Sequence, residues 1–374
     1  MGWLRGLRIS VGIALLAALI TFESAEARDD VVPGSRYMPA AAQAMGDAYL
    51  PVADDPASAL FYNPAGLGLI RGVHADLMNL QLYGNSNYFS GVDLSHTDFV
   101  KVTSLNSYSA ALQRSPNNWQ GVGYSLVPAF YVKGIAFGLL IQEQVRARYN
   151  TSGSNPAIDY KSNYQIIPAM GGALRLAEGI VRIGYSLQWV NQASGEVDGS
   201  SPTGSLGYNQ GLQKGSALSH TLGIALTMPY QHLPELNIVG RNLFMARFSG
   251  AAMMPFAQSS NGTPGNEGTS FDVSLSWIEK IGAGSEFTWV IEDRDAVNSS
   301  HISVLGRLAI GLEFNFRHVF FLRGGWGSGY PNVGLGLRRK KSELSLTWSN
   351  AEIGTGYHDV QDTRYILQYQ VRAF

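Results

Sequence analysis

Hydrophobic and polar residues alternate with a period of two along most of this chain. Within 134–149, Ile135, Phe137, Leu139, Ile141 and Val145 fall on one register, while Gly138, Gln142, Gln144, Arg146 and Arg148 fall on the other. Within 179–192, Val181, Ile183, Tyr185, Leu187 and Trp189 oppose Arg182, Gly184, Ser186 and Gln188. Segments 269–279 and 303–316 repeat the pattern; in the second, Leu308, Ile310, Leu312, Phe314 and Phe316 oppose Arg307, Glu313 and Asn315. Successive side chains of a strand leave from opposite faces, so each segment reads as a strand greasy on one side and wet on the other. The pattern predicts fourteen strands, over 75–84, 120–130, 134–149, 160–176, 179–192, 217–228, 235–245, 269–279, 284–293, 303–316, 319–327, 331–339, 341–350 and 361–372. In the last of these, Tyr365, Leu367, Tyr369 and Val371 oppose Arg364, Gln368, Gln370 and Arg372; Ile366 is an apolar intruder and Phe374 falls on the polar register.

A soluble β-sandwich would alternate in the same way, and the connections separate the two architectures. They run long, short, long, short: 85–119 is long, 131–133 short, 150–159 long and 177–178 short. The rhythm holds until 328–330, which is short where a long loop is due. Outer-membrane barrels have short periplasmic turns, long external loops and an even number of strands. The expected fold class is therefore all-β: a membrane-spanning antiparallel β-barrel of fourteen strands over 72–374, its apolar register turned to outer-membrane lipid and lipopolysaccharide.

The first 27 residues fit that destination. Arg5 and Arg8 give a basic start, Ile9 to Ile20 is an apolar run, and Ala25-Glu26-Ala27 is a small-x-small cleavage site, which together read as a cleavable signal peptide. The run is shorter than the roughly 20 apolar residues of a spanning helix. With no cysteine, disulfide staples and thiolate metal sites are excluded. A formal net charge of −1 leaves no basic field for nucleic acid.

Residues 28–71 do not alternate. Asp54-Asp55-Pro56 reads as a helix cap followed by proline at the first helical position, opening a short helix over 56–62 that stops before Pro64. A barrel of fourteen strands encloses more space than its own side chains fill, so 28–71 is expected to be a hatch that plugs the lumen. The run Ala44-Met45-Gly46-Asp47-Ala48-Tyr49, followed by Asp54-Asp55-Pro56-Ala57-Ser58-Ala59-Leu60-Phe61-Tyr62-Asn63-Pro64-Ala65-Gly66-Leu67, resembles the start of the FadL-type outer-membrane superfamily. That superfamily includes fatty-acid and aromatic-hydrocarbon transporters and the PorV-type barrels. Val239-Gly240-Arg241-Asn242-Leu243-Phe244 and Leu322-Arg323-Gly324-Gly325-Trp326 resemble strand signatures of the PorV-like branch. The resemblance implies a fourteen-stranded barrel whose hatch motif is Asn63, Pro64, Ala65 and Gly66, and, for the transporter branch, a sideways exit through a gap in the wall.

Pro128 and Pro168 lie inside predicted strands on either side of 134–149. Proline cannot donate to a ladder and a closed barrel has no edge on which to hide it, so each marks a bulge or an opening. They are the candidate wall opening. Arg146, Arg148, Arg182, Arg307 and Glu313 fall on the polar register and are expected to face the lumen, where mixed charge holds a hatch and internal water. Nothing points to an enzyme or a cofactor: the seven histidines show no metal-ligand spacing, and Ser219 and His220, as strand neighbours, face opposite ways. The leading expectation is a channel for passive uptake of a hydrophobic small molecule, a fatty acid or hydrocarbon. A scaffold or shuttle for a secreted or surface protein partner is the alternative, and a general porin is the third.

Overall fold

The computed structural model describes residues 36–91, 112–151, 156–200, 212–230, 232–250, 261–282, 284–298, 302–354 and 357–373. The predicted leader over 1–27, the start of the hatch and Phe374 lie outside the described residues. Among these, fifteen strand segments form one antiparallel sheet: β1 (Val73–Asn85), β2 (Gln120–Leu126), β3 (Ala129–Val132), β4 (Ile135–Asn150), β5 (Ala157–Leu176), β6 (Val181–Ser200), β7 (Gln213–Thr227), β8 (Glu235–Arg241), β9 (Ser270–Lys280), β10 (Glu286–Asp293), β11 (Leu308–Phe316), β12 (Phe320–Gly327), β13 (Tyr330–Arg339), β14 (Ser342–Glu352) and β15 (Gln361–Arg372). β15 pairs with β1 from Asn85–Arg364 down to Asp76–Arg372, so the sheet closes. β2 and β3 follow one another between β1 and β4 and make one stave. The wall is therefore a closed barrel of fourteen staves.

The alternation sorts the two faces. Leu335, Leu346, Leu367 and Leu82 form one cross-strand row over β13, β14, β15 and β1, and all are exposed on the outside. Ile366, the intruder on the polar register, is buried on the inside beside Tyr83. No helix among the described residues is long and apolar enough to cross a membrane.

Several strands run a few residues past their predicted limits, β6 as far as Ser200, and three are interrupted or cut short. Segment 120–130 is interrupted at Val127-Pro128. Segment 303–316 begins as a helical turn over Val304–Arg307, because the Ser303 side chain accepts from the Gly306 N–H and caps it; the strand starts at Leu308. Segment 235–245 ends at Arg241, since Asn242, Phe244 and Met245 adopt positive φ and leave the extended region.

Residues 36–71 lie inside the barrel as short turns: α1 (Ala40–Ala44), a 3₁₀ turn over Leu50–Val52, α2 (Pro56–Phe61) and a 3₁₀ turn over Pro64–Gly68. The Asp55 carboxylate accepts from the Ser58 N–H at 3.0 Å, and Pro56 occupies the first helical position. Such short helices are not stable alone, so the wall must fix them. α1 packs on β12 to β15, α2 on β1 and β3 to β5, and Pro64–Gly68 on β5 to β7.

Two devices make that packing. Wall side chains satisfy hatch backbone groups: Thr347 Oγ1 donates to the Ala40 carbonyl at 2.9 Å, the Ala40 N–H donates to Gln368 Oε1 at 2.6 Å, and Gln188 Nε2 donates to the Leu60 carbonyl at 3.2 Å. Inward-facing wall glycines let the hatch backbone approach closely. A Cβ at Gly184 would overlap the Pro64 carbonyl, one at Gly325 the Met45 carbonyl, and one at Gly327 the Gly46 carbonyl. Gly46 itself needs φ of 66° against the backbone of Trp326 and Gly327. Gly184→Ala is accordingly expected to destabilise the folded barrel by about 1–3 kcal/mol through overpacking. Gly324→Ala, which faces outward with nothing nearer than 3.9 Å, should stay within about 0.5 kcal/mol. Thermal unfolding of the two variants checks both.

Candidate functional site: the lumen and the proline row

The hatch motif is tied to the wall through side-chain amides. Asn63 is buried and caps the Pro64–Gly68 turn, its Oδ1 accepting from the Ala65 N–H at 3.1 Å. Its Nδ2 donates to the Leu50 carbonyl at 2.8 Å and to Asn237 Oδ1 at 3.0 Å. Asn237 Nδ2 donates to Glu235 Oε1 at 3.0 Å, and Glu235 pairs with Arg182 at 2.6 Å. Gly66 leaves room for the Ala53 carbonyl, and Pro64 and Ala65 lie over Gly184 and Gly223 of the wall. A second network starts from Asp47, which accepts the Tyr62 hydroxyl at 2.6 Å and pairs with Arg294 at 3.0 Å. Burial, and then the Asp47 charge, hold the Tyr62 hydroxyl well above its usual titration range, so it stays a donor. Arg241 donates to the Tyr62 carbonyl at 2.9 Å and pairs with Asp272 at 2.6 Å.

The five lumen charges are spread over the barrel. Arg146 lies 3.8 Å from Asp362 and Arg148 pairs with Asp159 at 2.7 Å, both towards the external ends of β4 and β15. Arg307 lies 3.4 Å from Asp293. Glu313 pairs with Arg323 at 2.6 Å, and Arg182 sits with Glu235 beneath the hatch motif. They form separate pairs rather than one filter. Sequence reasoning missed the wall residues Asn237, Glu235 and Glu292, the last of which accepts the N–H groups of Tyr49 and Leu50 on its Oε2 at 3.1 and 3.3 Å. Their signal was a polar residue on an inward register, which does not specify a partner in the hatch.

Pro128 and Pro168 stand on opposite sides of one residue. The Leu139 N–H donates to the Pro128 carbonyl at 3.0 Å, and Leu139 is the cross-strand partner of Pro168. The bulge expected at Pro128 is carried by the neighbouring stave: Leu77, Met78 and Asn79 of β1 face only Val127 and Pro128. At Pro168 the β5–β6 register does not shift, so no bulge forms there. Instead Asn191 Nδ2 donates to the Trp189 and Ile166 carbonyls, both at 3.2 Å, replacing the missing proline N–H. One residue inward from this row, Val127, Leu140, Ile167 and Val190 are all fully buried and apolar, packed with Leu60 and Phe61 of α2.

Above the hatch is a cavity of about 840 Å³. Its floor includes Tyr37 and Phe61, and its walls are rich in amides, including Gln81, Gln142, Gln165 and Gln188. Among the described residues, no group of three or more His, Asp or Glu is placed to hold a metal ion.

Because Arg182 and Glu235 are both buried, Arg182→Met strands a carboxylate beneath the hatch motif and is expected to cost about 3–5 kcal/mol. Adding Glu235→Gln should recover most of the loss, and urea unfolding of the single and double variants measures it.

No protein-family model matches the chain, and no curated protein matches its sequence. Solved structures do resemble it. The Pseudomonas putida toluene transporter TodX aligns with a TM-score of 0.53 at 10% identity, covering 91% of this chain and 100% of its own. The Ralstonia pickettii toluene transporter TbuX aligns at 0.48 and 15% identity, covering 90% and 98%. A Pseudomonas aeruginosa FadL homologue aligns at 0.44 and 11% identity, covering 93% and 99%. At such identities the likeness is one of fold, and the chain has the fold of the FadL-type outer-membrane transporters.

Proposed function

We propose that this protein is an outer-membrane channel for the passive uptake of hydrophobic small molecules, hydrocarbons or fatty acids, which leave the lumen sideways through the wall at the proline row. The observation that carries this reading is the coincidence of two features on β2 to β6. The wall there lacks two ladder donors, at Pro128 and Pro168, and the lumen face directly behind it is apolar at Val127, Leu140, Ile167 and Val190. The five lumen charges and the amide-lined cavity lie outside that apolar layer. An apolar solute on this layer moves into bilayer hydrocarbon without crossing a polar zone, and the missing donors lower the number of bonds broken when the wall parts. Phe61 and Leu60 cover the layer from inside and would have to swing aside for passage. The toluene transporter TodX has this fold, which supports the choice of solute class without fixing it.

Proteoliposomes containing the protein are expected to transfer toluene or a fatty acid faster than empty liposomes. Pro128→Val returns a donor to the Leu139 carbonyl and Pro168→Val returns one to the Trp189 carbonyl. With about 1 kcal/mol for each bond, the double variant should slow transfer by about thirtyfold. Unchanged transfer in the double variant removes the lateral exit. Absence of transfer in the parent protein favours a scaffold for a protein partner instead, and large ion conductance would make it a porin.

A further inference from the structure

The cavity above the hatch is not greasy, although the layer below it is. Across six adjacent staves, inward-facing residues at directly paired positions read Gln368, Gln81, Ser125, Gln142, Gln165 and Gln192. A cross-strand row climbs around a barrel because its strands are tilted, so this belt rises from the hatch into the cavity. Gln368 touches the hatch, donating to the Tyr37 hydroxyl at 2.9 Å, while Gln81, Ser125, Gln142 and Gln165 line the cavity itself.

Part of the belt is a directed chain of amides. Gln142 Nε2 donates to Gln165 Oε1 at 2.5 Å, Gln165 Nε2 to Gln192 Oε1 at 2.9 Å, and Gln192 Nε2 to Ser194 Oγ at 3.0 Å. Bonds that run in one direction polarise one another and leave extra negative character at the acceptor end. That end is Gln142 Oε1. Gln142 is about nine-tenths buried on the cavity wall, and its Oε1 accepts no bond from a described residue.

Every described arginine of the cavity faces a carboxylate; Arg146 and Arg364 share Asp362, and Glu352 on the same wall brings the acids to five against five arginines. Arg36 pairs with Glu267, Arg241 with Asp272 and Arg294 with Asp47; Arg364 and Arg146 lie against Asp362. A carboxylate arriving in the cavity would compete with a carboxylate already in place at each arginine. It would also bring no donor for Gln142 Oε1. An uncharged hydroxyl or primary amide brings a donor and an acceptor, costs less to desolvate than an ion, and can bond to the belt while an apolar tail rests on Tyr37 and Phe61.

We propose that the amide belt on β1 to β6 is a specificity element that selects amphiphiles with an uncharged, hydrogen-bonding head, an alcohol or amide, over carboxylates and bare hydrocarbons of the same tail. This rests on the channel reading and narrows its solute class. The test is direct binding of four ten-carbon probes, decan-1-ol, decanamide, decanoate and decane, to the full-length mature protein in nanodiscs at pH 8, with empty nanodiscs as the blank. The alcohol and the amide are expected to bind about tenfold more tightly than the other two, the effect of one or two hydrogen bonds formed in a site that otherwise leaves an acceptor unmet. In Gln142→Leu/Gln165→Leu the preference should vanish while decane binding holds or rises, which a general loss of folding would not produce. Equal or tighter binding of decanoate or decane, binding of none of the probes, or a preference unchanged by the substitutions overturns the proposal. Transfer of the same probes in proteoliposomes is read separately: if none crosses while the binding order holds, the channel reading falls and the assignment of the belt stands.

Discussion

A strand in hydrocarbon has no water to turn to, so every backbone donor and acceptor of the wall must find its partner within the wall. The pairing of β15 with β1 is the step that removes the last open edges, and the rest of the molecule is arranged around it. Closure fixes which side chains face lipid and which face the lumen, since a slip of one residue would exchange the two sets. It also makes any missing donor conspicuous. At Pro168 the lack is made good by a side-chain amide from the outer face, and at Pro128 it coincides with an extra residue in the next stave. The wall is thus least regular over one short arc, and that arc is where the lumen is most apolar.

Closure also creates an interior that has to be occupied. The hatch fills the lower lumen with turns too short to be stable alone, held by partners on nearly every side. Polar wall residues such as Thr347, Gln368, Gln188 and Glu292 supply the bonds its backbone lacks, and glycines such as Gly184, Gly325 and Gly327 supply the space. Buried ion pairs do not by themselves show that an arrangement is stable. Here they lie where hatch and wall meet, so their geometry specifies one seating of the hatch rather than simply adding strength.

Much of this is written in the sequence. Period-two alternation marks the staves, and the unequal connections separate a barrel from a sandwich, because both depend on local order along the chain. The cap at Asp55 and the proline at position 56 mark α2 for the same reason. Other features depend on what lies across the lumen. The glycines of Leu322-Arg323-Gly324-Gly325-Trp326-Gly327 have no local explanation until Gly325 and Gly327 are found against Met45 and Gly46. Pro128 announces an irregularity, but the extra residue belongs to β1, in the stretch Leu77–Asn79, where nothing local signals it. Asn191 looks like any lipid-side polar residue near a strand middle, and only the missing donor of Pro168 explains it.

The hatch comes first in the chain, yet α1 is held by the strands that come last. Thr347 reaches Ala40 across 307 positions and Gln368 reaches it across 328. Contacts of that sequence separation carry the largest loop-closure cost and form late in folding. Seating of α1 therefore cannot precede the arrival of β14 and β15, the strands that also complete the wall. The strands that close the circle are thus the same strands that hold the first turn of its contents in place.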